Sequence, residues 1–102
     1  MYTIKDMPPP LEPRLVQALM QVETATVGHW LLMGFMDPGL QSILRPARRV
    51  VGVAVTVAIP SSDSTLLHHA AGLVRPGDFL VVDRLGDQRH ACWGGGVTVA
   101  AK

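Results

Sequence analysis

Apolar residues fall along this chain in helical stripes and in one continuous run. Leu15, Val16, Leu19, Met20 and Val22 or Glu23 fall at the i, i+3, i+4, i+7 spacing of one helix face, with Arg14, Gln17 and Gln21 outside it. Pro13 suits the first turn of that helix, where its missing N–H would be unpaired anyway. A second short helix is predicted with Thr24 as N-cap, Val27, Trp30 and Leu31 on its inner face, and Gly34 at its end. Residues 50–59 then run apolar and β-branched without clean alternation, the pattern of a strand covered on both faces, and Pro60 stops it. Ser61, Ser62, Asp63 and Ser64 supply capping oxygens for a helix carrying Leu66, Leu67, Ala70, Ala71 and Val74. Past the turn at Arg75-Pro76-Gly77-Asp78, residues 79–82 read as a second strand ending at Asp83. Gly86-Asp87 marks a reversal, residues 90–93 a short returning strand, and Gly94-Gly95-Gly96 the opening of a helix from Val97 with no stop signal before Lys102. Ahead of all this, residues 1–12 form an N-terminal arm, because Pro8-Pro9-Pro10 favours extended polyproline geometry.

Strands alternating with helices predict an α/β fold. The length of 102 residues predicts a single domain, one that buries roughly 60–70% of the surface its unfolded chain exposes. Hydrophobic residues at 48% and charged residues at 17% exclude intrinsic disorder. A net charge of +1 with no basic tail argues against a nucleic-acid partner. The most apolar run is far short of the ~20 residues of a membrane helix, which argues against a membrane partner. Met1-Tyr2-Thr3-Ile4-Lys5-Asp6 lacks the layout of a signal peptide, and one cysteine, Cys92, cannot form an intrachain disulfide. A cytoplasmic chain is expected.

Four groups of residues invite chemistry. Arg45, Arg48 and Arg49 read as a solvated approach to the first strand. His68 and His69 are neighbours on a helix, so they project about 100° apart and cannot chelate one ion; one partly buried and one exposed histidine is the expectation. Asp83, Asp87 and His90 gather around one turn at the carboxyl end of a strand, where α/β folds often place function, although Asp and Gly also suit a tight turn. Gly94, Gly95 and Gly96 admit a ligand close to the backbone, and the free amides of a following helix turn would bind a carboxylate or phosphate. The same triplet also serves as a flexible turn. No Gly-Lys-Ser/Thr follows it, so it is not a phosphate loop.

The order and spacing of four blocks carry a resemblance. They are Thr24-Ala25-Thr26-Val27, Arg49-Val50-Val51-Gly52-Val53-Ala54-Val55-Thr56-Val57, Arg75-Pro76-Gly77-Asp78-Phe79-Leu80-Val81-Val82-Asp83 and Ala91-Cys92-Trp93-Gly94-Gly95-Gly96. Over about residues 15–102 the chain resembles the RraA-like family, which includes the regulator of ribonuclease E activity A and the 4-hydroxy-4-methyl-2-oxoglutarate aldolases. The resemblance implies a swivelling β/β/α domain assembled as a homotrimer. It implies a lyase that cleaves 4-hydroxy-4-methyl-2-oxoglutarate to pyruvate and secondarily decarboxylates oxaloacetate. The partner is then a small 2-keto acid and the cofactor a divalent cation, Mg²⁺ or Mn²⁺. Such a metal stabilises the pyruvate enolate as a Lewis acid. The family's substrate loop falls on Gly94, Gly95, Gly96 and Val97.

Two departures accompany the match. The family usually carries Asp or Glu where this chain has Gly95, and its Arg-Asp pair for substrate and metal falls beyond Lys102. The chain is therefore expected to be an incomplete, C-terminally truncated domain, with no catalytic residue and no metal ligand assigned within it. The alternative implied by the resemblance is a non-catalytic regulator that binds a ribonuclease. Phosphohistidine swivel domains place their histidine after the glycine loop, whereas His90 precedes it.

Overall fold

The computed structural model describes residues 1–102. The chain divides into two compact units, one of Leu11–Val51 and one of Met1–Pro10 with Gly52–Lys102. No helix is long and apolar enough to cross a membrane.

The first unit holds helix α1, Pro13–Met20, and helix α2, Thr24–Trp30. Pro13 opens α1 as the spacing predicts, with Glu12 as its N-cap. Neither helix buries a residue. Val16, Leu19 and Val22 are half-buried, while Leu15 and Met20 are exposed, so the apolar stripe of α1 exists without a covering layer. Two helices of eight and seven residues with no sheet cannot enclose a core. Glu23, not Thr24, is the N-cap of α2, and Leu31 rather than Gly34 is its C-cap. Its expected inner face is also open: Val27 is half-buried, but Trp30 and Leu31 are exposed. Arg49 donates to the Met20 carbonyl at 2.6 Å and pairs with Glu23, so this arginine is tied rather than only solvated.

The second unit is an α/β assembly. Strand β1, Val53–Ala58, pairs in parallel with strand β2, Asp78–Asp83, in a register that sets Val53 against Asp78 and Ala58 against Asp83. Helix α3, Thr65–Ala71, makes the crossover, and helix α4, Gly95–Ala100, follows β2. Parallel neighbours need such a crossover because a hairpin cannot join them. Ile59, Leu67, Ala71 and Val97 form the buried cluster, with Val57, Leu66, Leu80, Val82, Cys92 and Ala101 packed against it.

The β-branched run of β1 is not covered on both faces. Val55 is buried and Val53 and Val57 half-buried, while Ala54, Thr56 and Ala58 are exposed. Side chains alternate along any strand, so composition alone could not say how many faces a second layer covers. Residues 90–93 form no strand. Asp63 Oδ1, one of the four expected capping oxygens, accepts from the Thr65 amide at 3.0 Å; Ser64, at the N-cap, makes no side-chain bond.

The N-terminal arm is fastened to this unit. The Tyr2 hydroxyl donates to Asp63 Oδ2 at 2.8 Å, and Arg75 Nη2 donates to the Pro8 carbonyl at 2.7 Å. A cavity of about 510 Å³ lies between residues 3–8, β1 and α3. His69 lines it. Both His68 and His69 are exposed, so the expected half-burial of one of them is not found.

Candidate functional site

The glycine triplet sits where a connection becomes a helix. Gly94 is extended and is the N-cap of α4, so Gly95 and Gly96 occupy the first helical turn, two residues earlier than the predicted start at Val97. The first backbone bond of the helix runs from the Thr98 amide to the Gly94 carbonyl at 3.0 Å. The amides of Gly95, Gly96 and Val97 therefore donate to nothing within the chain, as the first turn of any helix requires. A Cβ built on Gly94, Gly95 or Gly96 meets no atom within 4 Å. None of the three has a positive φ, so this turn is open by its lack of side chains and not by unusual backbone. Val97 is the exception, buried against Leu67 and Ala71 as the anchor that fixes the turn to the core. Trp93 Nε1 donates to Thr98 Oγ1 at 2.8 Å, and that hydroxyl donates to the Gly94 carbonyl at 3.0 Å, bracing the turn from outside.

The second polar group gathers on the connection between β2 and Gly94. Asp87 Oδ2 accepts from Arg84 Nη2 at 2.6 Å and from His90 Nδ1 at 2.8 Å, while its Oδ1 accepts from the Arg89 amide at 2.9 Å. These bonds, the Arg89 amide first, outweigh the opposing effect of burial and lower the Asp87 carboxyl to about 2. Arg84 Nη2 also reaches the Ser61 carbonyl at 2.5 Å, which ties the loop after β1 to the loop after β2. Leu85 and Gly86 both take positive φ, the sharp reversal that brings Asp87 back to Arg84.

Of the three residues singled out around this turn, Asp87 and His90 come together and Asp83 does not. Asp83 Oδ1 instead accepts from the Leu85 amide at 2.7 Å. Arg84 is the residue that sequence reasoning passed over. Its position three before Asp87 across a glycine turn is a pairing signal that the chain does carry.

No three His, Cys, Asp or Glu side chains converge on a point where a cation could sit. The divalent metal implied by the resemblance thus does not fit a ligand set of this chain's own residues.

A family model described as RraA-like, Aldolase/RraA, matches residues 23–102. The chain belongs to the RraA-like family. No curated protein and no solved structure matches it. The matched region of this RraA-like chain begins at Glu23 and takes in α2, both strands, α3 and α4 with its glycine turn.

Proposed function

We propose that this chain is an RraA-like carbon–carbon lyase that binds a 2-keto acid. Its reaction is the cleavage of 4-hydroxy-4-methyl-2-oxoglutarate to pyruvate, with oxaloacetate decarboxylation as a side reaction. The fold is the swivelling β/β/α type, active as a homotrimer in the cytoplasm. The observation that carries this reading is the open turn at residues 94–97: three unpaired amides at a helix start, beside exposed glycines that carry no side chain. In a family whose model is described as Aldolase/RraA, that turn suits a substrate carboxylate. The amides of Gly95, Gly96 and Val97 would hold the carboxylate, and the partial positive charge of the helix start would favour it. A divalent cation, Mg²⁺ or Mn²⁺, would supply stabilisation of the enolate if one bound. No residue of this chain is assigned to it.

The test is release of pyruvate from 4-hydroxy-4-methyl-2-oxoglutarate and from oxaloacetate, with and without added Mg²⁺ or Mn²⁺. Turnover of both supports the reading, and turnover of neither overturns it.

One observation favours the second reading, a regulator that acts on a ribonuclease by contact. The segment from Trp30 to Leu44 exposes a series of large apolar side chains, with Trp30 at 86% and Ile43 at 94% exposure. Such a surface is unusual for a free monomer and suits protein contact. Inhibition of a ribonuclease by a chain that releases no pyruvate would decide for it.

A further inference from the structure

The Asp87–His90 pair is more elaborate than its turn requires. Arg84 already neutralises the Asp87 carboxylate, and the Arg89 amide already occupies its other oxygen. His90 adds an imidazole that the reversal does not need. The two partners are also unequally placed. The Asp87 side chain is 11% exposed, whereas that of His90 is 55% exposed. A solute can therefore reach the ring but hardly the acid.

The hydrogen bonds fix the ring's chemistry. An ionised carboxylate only accepts, so Nδ1 of His90 must carry the hydrogen that points at Asp87 Oδ2. The neutral ring then presents a bare Nε2 lone pair away from the acid. A base oriented in this way, with its partner held in turn by an arginine and an amide, suits proton transfer. It lies on the connection that leads from the carboxyl end of β2 into Gly94, and Arg84 fastens that connection to Ser61. The carboxyl ends of parallel strands are where α/β folds bind their ligands.

We propose that His90, oriented by Asp87, is a proton-transfer group of this chain for a hydroxylated 2-keto acid; the proposal rests on the lyase reading above. Nε2 takes the proton of the substrate hydroxyl. The oxygen's electron pair forms the new carbonyl, the adjacent carbon–carbon bond breaks, and its pair passes to the pyruvate enolate. The proton on Nε2 then returns to the enolate carbon, completing the methyl group of pyruvate. No oxidant or reductant is needed. Decarboxylation of oxaloacetate involves no hydroxyl deprotonation, so the two reactions separate this role from a general loss of function.

The experiment compares the full chain with His90→Gln and Asp87→Asn on both substrates with Mg²⁺ present, alongside ¹⁵N NMR of the histidine tautomers. His90→Gln lowers kcat for aldol cleavage by roughly 10²–10⁴-fold, at least tenfold more than it lowers decarboxylation. Asp87→Asn gives a smaller loss in aldol cleavage. The wild-type His90 ring carries its hydrogen on Nδ1, and Asp87→Asn mixes the tautomers. Equal losses in both reactions, an undiminished aldol rate in His90→Gln, or a hydrogen on Nε2 would each overturn the proposal while leaving the lyase reading intact. A wild-type chain that turns over neither substrate overturns both.

Discussion

Asp78 is the buried half of a two-oxygen pair with Arg75. Its Oδ2 accepts from the Arg75 amide at 2.7 Å and from Nε at 3.0 Å, and its Oδ1 accepts from Nη2 at 3.1 Å. The Asp78 side chain is 2% exposed and that of Arg75 is 37% exposed. The pair closes the turn that starts β2, and the same guanidinium holds the arm at Pro8.

Acid should therefore loosen the second unit. The Arg75 side chain and then its amide hold the Asp78 carboxyl below its ordinary value, and Asp87 is lowered to about 2. A carboxyl depressed in the fold contributes stability that is complete above its unfolded value of about 4 and is lost as pH falls through its folded value. Urea midpoints measured from pH 7 down to pH 2 should fall below about pH 4. Asp78→Asn should be less stable than the parent at pH 7, with the gap narrowing as pH falls.

Two glycines should respond oppositely to alanine. A Cβ on Gly52 would stand 2.6 Å from the Gly77 carbonyl oxygen, a backbone atom that also accepts from the Val53 amide. Gly52→Ala should cost about 1–3 kcal/mol through that clash. Gly95→Ala meets open space in a helical turn and should be neutral or gain up to about 1 kcal/mol. Denaturant unfolding of both variants checks the contrast.

Leu67 is fully buried at the centre of a small cluster. Leu67→Ala should cost about 2–5 kcal/mol, through lost burial and the cavity it leaves beside Ile59, Ala71 and Val97. The readout is the melting temperature together with near-ultraviolet circular dichroism.

An acid at position 95 has room. Gly95→Asp should fold normally, because neither its backbone angle nor its surroundings oppose a side chain. As a second base beside the substrate turn it should raise kcat for aldol cleavage more than it lowers KM. The gain should be on the order of 10²-fold in a His90→Gln background and smaller where His90 is intact. Steady-state kinetics in both backgrounds decides it.

The elements legible in the sequence were those whose signal is local. Pro13 starts α1, Asp78 to Asp83 form β2, and the glycines open α4, each from chemistry carried within a few residues. Burial was less legible, because it depends on layers that the pattern does not count. The valines of β1 and the stripe of α1 are equally apolar, yet only the former found a helix to face. The candidate site divides in the same way. The open turn followed from its glycines, whereas the coupling of Arg84 to Ser61 joins two loops far apart in sequence and leaves no local trace.

The arm's anchors give this unit an order of assembly. Tyr2 and Asp63 are 61 residues apart, and Pro8 and Arg75 are 67 apart. During synthesis the first ten residues emerge long before anything they rest on exists. α1 and α2 have their own short-range contacts and can form in the interval. The arm cannot complete both anchors until Arg75 has been synthesised, and closing loops of this length carries an entropic cost. Restraining residues 1–10 would therefore act on a late stage of folding, not the first.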